Sequence, residues 1–423
     1  MTSETVNHLG LIIFLLTYIG IALGGVPGLA LDRTGVALLG AMAFVLLGIL
    51  TVSQATQAID YSTLILLFGF MLLSAQFRLG GFYTRAILIL AERRVEPARF
   101  LAGMILLSAG LSALLSNDVI CLALAPLVVE IAVHRQWDPK PFLLALAAAS
   151  NIGSAATIVG NPQNMFIGQT ANLGFGSFLL WCLPPSIVSL VILYLWAKWK
   201  GHMSVATGLA GLERTQEGKL PLSSAQPWDR YQSTKAVMLT GVVIVLFFTS
   251  LPRHVVILGM AAVLLMSRKL TTRLFLGLVD WPLLVLFIGL FMVIEGFRQA
   301  GGLALLGASV TQNGLALYDP FVLSVMSVSL SNLVSNVPAV MLLMAEWPEG
   351  QTALAYLLAL TSTYAGNLIL IGSIANLIVV EQAKRFNVTI SFREHFIWTG
   401  PVAFLSLIIA VLWWYGVWAV ING

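Results

Sequence analysis

Apolar residues fill this chain in segments of helical length that recur from end to end. They cover residues 9–29, 35–50, 61–77, 100–133, 142–170 and 178–197 in the first half, and 236–251, 255–266, 281–297, 321–345, 353–380 and 396–420 in the second. A membrane-spanning helix needs about 20 such residues. No polar stretch is long enough for a second domain, so the pattern predicts an all-α integral membrane protein with one membrane domain over residues 1–423.

Two of these segments contain a polar Ser-Asn pair at their centre. LSNDV occupies positions 115–119 and VSNVP positions 334–338. Ser116 with Asn117, and Ser335 with Asn336, are each placed to cap the helix that follows. Capping alone is one interpretation. The other is a ligand site, because polar groups at this depth are costly and usually functional.

Two further apolar segments contain Gly, Pro and Asn where a helix would otherwise continue. SNIGSAATIVGNPQNM begins at Ser150, and YAGNLILIGSIANLI begins at Tyr364. Such breaks leave backbone groups that protein, ligand or water must satisfy. A kink without a ligand is the alternative to a binding site. The candidate site residues here are Asn151, Gly153, Thr157, Gly160, Asn161, Asn164, Asn367, Gly372, Ser373 and Asn376.

Asp118 is the one carboxylate expected near the middle of the membrane. A carboxylate at that depth is a candidate proton carrier or cation partner. The alternative is a structural pair with a basic residue or a helix end. The second half has Val337 at the matching position. Asp60 and Asp280 each precede an apolar segment and are predicted N-caps.

Landmark residues recur at a nearly constant interval along the chain. Asn117 and Asn336 are 219 residues apart, and Asn151 and Asn367 are 216 apart. This spacing predicts an internal duplication. Repeat 1 then covers residues 9–197, a linker covers 198–235, and repeat 2 covers 236–421.

The basic residues predict that the two repeats are inverted. If each Ser-Asn segment is a re-entrant hairpin and each interrupted helix crosses once, every repeat has five crossings. Placing the linker in the cytoplasm then puts 20 of the 22 Lys and Arg residues inside, and only Arg253 and Arg298 outside. Both termini are predicted outside a cell inner (plasma) membrane. This distribution also explains the net charge of +4 without nucleic acid as a partner.

Composition excludes several classes of protein. With 59% hydrophobic and 9% charged residues, against about 25% charged in soluble domains, the chain is a membrane protein. Two cysteines and five histidines without ligand spacing predict neither a disulfide framework nor a metal cluster. No enzyme centre can be assembled from the intramembrane residues. Inverted repeats with broken helices are typical of secondary transporters.

These motifs resemble those of the ion transporter superfamily, which includes arsenite permeases, citrate and other carboxylate permeases, and some sodium/proton antiporters. SNDVICLALAPLV, from Ser116, resembles the arsenite permease pattern. NIGSAATIVGNPQN, from Asn151, is closer to the carboxylate branch. In the second half, SNVPAV, IGSIANL and NVTIS again resemble arsenite permeases.

The resemblance implies a scaffold made of the first helices of each repeat and a moving part made of the hairpins and broken helices. It implies no cofactor, but a sodium ion or proton as coupling ion, with sodium at Asn117, Asn151, Asn336 and Asn367. Carboxylate members are often dimers, and some arsenite permeases dock a soluble ATPase. The resemblance therefore implies two protein partners, a second copy of the chain in a homodimer and a soluble ATPase subunit. The other partners are a small anion and the lipid bilayer.

The leading hypothesis is a secondary active transporter of a small anion or oxyanion, arsenite-like or carboxylate, coupled to protons or sodium. A sodium/proton antiporter, in which Asp118 and the asparagines bind only cations, is the alternative. Sodium/proton exchange that proceeds without any anion would favour the antiporter.

Overall fold

The computed structural model describes residues 3–26, 28–91, 96–200, 224–312 and 316–422, and these residues are almost entirely helical. The first half contains α1 (Ser3–Leu23), α2 (Arg33–Leu46), α3 (Val52–Gln57), α4 (Tyr61–Leu79), α5 (Phe82–Ala91), α6 (Pro97–Leu114), α7 (Asn117–His134), α8 (Pro139–Ser154), α9 (Pro162–Thr170) and α10 (Phe175–Lys200). The second half contains α11 (Arg230–Phe247), α12 (Arg253–Leu265), α13 (Thr272–Leu276), α14 (Trp281–Gln299), α15 (Gly302–Gln312), α16 (Pro320–Val334), α17 (Asn336–Leu343), α18 (Thr352–Ala365), a 3₁₀ turn (Leu370–Gly372), α19 (Ile374–Lys384) and α20 (Phe392–Asn422).

Seven of these helices are long and apolar enough to cross a membrane. They are α1, α4, α6, α7, α10, α14 and α20. Large apolar side chains on their outer faces are exposed, including Leu16 at 65%, Leu195 at 57% and Leu412 at 65%. Exposed apolar surface of this extent suits lipid rather than water. The predicted all-α, multi-pass membrane protein is confirmed.

The order of elements in the first half recurs in the second. α4 and α14 both have 19 residues and begin 220 positions apart, each after an N-capping aspartate, Asp60 or Asp280. Packing is reciprocal: α2 contacts α14 while α12 contacts α4, and α7 contacts α19 while α17 contacts α9. Equivalent helices of the two halves thus make equivalent contacts with the opposite half, which supports the predicted duplication. The inverted orientation of the repeats stays a prediction.

The two hairpins differ in length. α6 and α7 have 18 residues each, about 27 Å of helix, whereas α17 has only 8, about 12 Å. The first hairpin is therefore long enough to cross the bilayer, and the second helix of the other hairpin is not. Whether both are re-entrant stays a prediction.

Both interrupted segments are broken in the structure. α8 ends at Ser154 and α9 begins at Pro162, while α18 ends at Ala365 and α19 begins at Ile374. At the predicted linker, 198–235, α10 continues through Lys200 and α11 already begins at Arg230. Linker positions 201–223 lie outside the described residues.

Candidate substrate and ion site

The Ser-Asn tips of the two hairpins begin α7 and α17 without a side-chain cap. Ser116 and Ser335 occupy the N-cap positions of α7 and α17, but neither side chain makes a capping hydrogen bond. Ser335 also has a φ of 76°, a left-handed conformation that a residue with a Cβ adopts at a cost. Capping therefore does not account for these serines, and their hydroxyls are available for another partner.

The broken helices bring two more helix N-termini to the same place. Asn161 caps α9 by accepting a hydrogen bond from the Asn164 backbone N–H at 2.8 Å, and Ser373 precedes α19. The turn before α9 requires glycine, because a Cβ on Gly160 would lie 2.2 Å from the Ser154 carbonyl oxygen. The Gly160 carbonyl in turn accepts a 3.1 Å hydrogen bond from the Asn117 backbone N–H, which joins the hairpin tip to the break.

A small cavity, called the central cavity below, lies where α7, α9, α17 and α19 start. Its volume is about 20 Å³, enough for one water molecule. Among the described residues its lining contains one acid and no basic side chain; positive potential comes from the helix N-termini. The lining residues are Asn117, Asp118, Pro162, Gln163, Ser335, Asn336, Val337, Ser373 and Ile374.

Asn151 joins the two repeats directly behind this cavity. Its Oδ1 accepts hydrogen bonds from Asn117 Nδ2 at 2.9 Å and from Ser373 Oγ at 3.1 Å. Its Nδ2 donates to Asn367 Oδ1 at 2.7 Å and to Asn376 Oδ1 at 3.3 Å. One buried amide thus holds the first hairpin and both parts of the second broken helix together.

Asp118 is half-buried and faces the cavity. Its carboxylate makes no hydrogen bond or ion pair with any residue that the structure describes. A basic partner for Asp118 is therefore not observed among the described residues, while the pairing with a helix end stays an alternative, because Asp118 lies in the first turn of α7. The pairing of Glu295 with Arg298, by contrast, is present at 2.8 Å.

The remaining predicted residues lie around the cavity rather than on it. Gly153 allows α8 to pack on α6, since a Cβ there would meet the Ala109 backbone at 2.4 Å. The Thr157 hydroxyl donates to the Ala113 carbonyl at 2.5 Å, and Asn164 Nδ2 donates to the Thr157 carbonyl at 3.0 Å. Asn376 Nδ2 donates to the Gly366 carbonyl at 2.7 Å. These residues, with Asn161, Asn367 and Gly372, shape the two breaks.

Sequence reasoning missed two polar residues at the breaks. Gln163 lines the cavity and donates to the Thr363 hydroxyl at 3.4 Å, and the same hydroxyl accepts from Asn161 Nδ2 at 3.2 Å. The signal for Gln163 was its place within GNPQN, whereas Thr363 lies in an apolar helix with no motif. Within the described part of the chain, no three His, Cys, Asp or Glu residues are grouped as metal ligands.

The citrate transporter family (CitMHS) matches residues 12–348 of this chain. The chain belongs to this family. The family is named for a transporter, so the predictions of the ion transporter superfamily and of a protein that is not an enzyme are confirmed.

Relatives of this citrate transporter family member are named as transporters, and the name of one of them gives silicon as its substrate. A silicon efflux transporter from Oryza sativa subsp. japonica is 32% identical over 85% of this chain and 87% of its own length. A Dictyostelium discoideum protein named as transporter arsB is 26% identical over 90% of this chain and 87% of its own. The crystal structure of the YdaH transporter from Alcanivorax borkumensis has a TM-score of 0.56 at 14% identity and covers 99% of this chain, which shows the fold.

Proposed function

We propose that this protein is a secondary active transporter of a small oxyanion, coupled to protons or sodium, with its binding site at the cavity between α7, α9, α17 and α19. The observation that carries the proposal is the convergence of four helix N-termini on one cavity. The positive ends of the helix dipoles favour an anion. The hydroxyl of Ser335, which lines the cavity and makes no capping hydrogen bond, adds a hydrogen-bond donor.

The size of the cavity favours a compact substrate over a carboxylate as large as citrate. About 20 Å³ admits one water-sized group, so citrate would require the four helix starts to separate. A compact oxyanion requires less opening. The silicon efflux transporter and the arsB transporter among the relatives support this class, whereas the family name supports a carboxylate.

Asp118 and Asn117 are the residues we assign to the coupling ion. The Asp118 carboxylate has no partner among the described residues, and Asn117 Oδ1 is a buried oxygen without a hydrogen-bond donor. A carboxylate and an amide oxygen on the first turn of one helix fit a sodium ion, and the carboxylate alone can carry a proton. Asn151 positions the Asn117 amide.

A sodium/proton antiporter is the second candidate. It is favoured by one observation, that the lining of the central cavity includes a carboxylate but no basic side chain among the described residues. In that case Asp118 and the amide oxygens would bind only cations.

Uptake into proteoliposomes separates the two candidates. Arsenite, silicate, phosphate and citrate would be offered with a pH gradient, a sodium gradient, both or neither. The proposal expects gradient-dependent uptake of a compact oxyanion. Sodium/proton exchange that proceeds with no anion present, together with no uptake of any of the four, would reject it in favour of the antiporter.

A further inference from the structure

A second cavity, much larger than the first, opens beside the end of the predicted linker. Its volume is about 290 Å³. It lies between α4–α5, α7 and α19, and Ser224 and Gln226 close one side. None of the candidate residues predicted from the sequence lines it.

Two arginines from different helices face this cavity. Arg78 is half-buried in the last turn of α4, and Arg385 is exposed directly after α19. Neither guanidinium has a hydrogen bond or ion pair with any described residue. A basic residue at a helix C-terminus also stabilises that helix. That effect explains each arginine singly, but not why both face one cavity.

Gln382 provides a third free donor. Its side chain is 6% exposed, lines the cavity and makes no hydrogen bond with a described residue. Glu130, one turn beyond Pro126 on α7, accepts a hydrogen bond from the Ser224 hydroxyl at 2.8 Å. The lining of the cavity thus contains two guanidinium groups, of Arg78 and Arg385, and the buried amide of Gln382. This set of hydrogen-bond donors suits an anion.

The two cavities lie along the same pair of helices. On α7, Asp118 lines the central cavity, while Leu122 and Pro126, one and two turns further on, line the large one. On α19, which packs against α7, Ile374 lines the central cavity while Gln382 lines the large one, and Phe386, just beyond the end of α19, lines the large one as well. Residues four apart lie on one helix face, and eight residues span about 12 Å.

We propose that the large cavity is an anion-binding vestibule, in which Arg78, Arg385 and Gln382 hold the transported anion on the linker side before it reaches the site beside Asp118. This assignment rests on the proposed function. It adds a second anion site to the one beside Asp118. At this second site Arg78, Arg385 and Gln382 select anions over cations, away from the residues assigned to the coupling ion.

Charge selection can be measured without any transported substrate. Ala123→Cys, in a background with Cys121→Ala and Cys182→Ala, places a single thiol on the cavity wall. In detergent its reaction rate is measured with anionic sulfonatoethyl methanethiosulfonate and with cationic trimethylammonioethyl methanethiosulfonate. The ratio of the two rates reports the local potential.

The ratio of anionic to cationic rates is expected to fall about fivefold in Arg78→Gln/Arg385→Gln and about twofold in each single variant. Arg393→Gln, which removes an equal charge from an exposed residue at the start of α20, is the matched control and should leave the ratio unchanged. An unchanged ratio in the double variant overturns the proposal.

Uptake measurements then test whether the vestibule lies on the substrate route. For the oxyanion that the wild-type protein transports, the double variant should raise KM several-fold with kcat nearly unchanged. An unchanged KM overturns the assignment to the substrate route. If no anion is transported by the wild-type protein, the proposed function has failed, and this assignment with it, whereas the thiol ratio still decides whether the cavity concentrates anions.

Discussion

Removal of the Asn151 side chain should destabilise the protein more than removal of any other single amide at the site. Asn151→Ala deletes four hydrogen bonds that join α8 to α7, to the end of α18 and to α19. A hydrogen bond between helices in a membrane contributes about 0.6 to 1 kcal/mol. Four of them predict a loss of about 2 to 4 kcal/mol in the free energy of unfolding.

Asn332→Ala is the matched control for that variant. Asn332 also lies in an apolar helix, α16, but among the described residues its Nδ2 donates only to the Val328 carbonyl of that helix and its Oδ1 accepts no hydrogen bond. Its removal should change the free energy of unfolding by less than about 1 kcal/mol. The measurement is SDS-induced unfolding followed by tryptophan fluorescence. Equal unfolding midpoints for the two variants would refute the reasoning that Asn151 holds the two repeats together.

Three further predictions test the site and its surroundings. Asp118→Asn should retain the fold but lose the response of uptake to an ion gradient, whereas Glu295→Gln should retain that response; full coupled transport by Asp118→Asn would remove the role assigned here. Gly160→Ala should abolish transport and lower the yield of folded protein, because the Cβ meets a backbone oxygen at 2.2 Å, while Gly110→Ala, with nothing within 4 Å, should be neutral; similar behaviour of the two variants would contradict the packing argument. A bound substrate should raise the unfolding temperature in proportion to RT ln(1 + [L]/Kd), so arsenite or silicate should stabilise the wild-type protein more than citrate does; stabilisation by citrate alone would exclude the compact substrate.

Local sequence rules predicted the helices and the places where they break. These predictions rest on features that can be recognised from a short stretch of sequence: long apolar segments, the Ser-Asn pairs and GNP at residues 160–162. Hydrophobicity and the backbone preferences of Gly and Pro act locally, so distant residues are not needed to interpret them. The N-caps Asp60 and Asp280 followed from the same rules and are present.

The contacts between the repeats could not be predicted in the same way. Asn151 and Asn367 are 216 residues apart in sequence, and the fold alone brings their side chains to 2.7 Å. Thr363 and Gln382 lie within otherwise regular helices, so no motif distinguishes them from ordinary helix residues. The open N-caps at Ser116 and Ser335 also depend on the surroundings, since the sequence alone left capping and a ligand site as alternatives.

The central claim is that two oppositely oriented repeats bring four helix starts together inside the membrane. Single cysteines at Glu213, Lys384 and Gln299, in a background without Cys121 and Cys182, would be labelled with an impermeant maleimide from either side of oriented vesicles. The account predicts that Glu213→Cys and Lys384→Cys react from the cytoplasmic side and Gln299→Cys from the other. Labelling of Lys384→Cys and Gln299→Cys from the same side would contradict it.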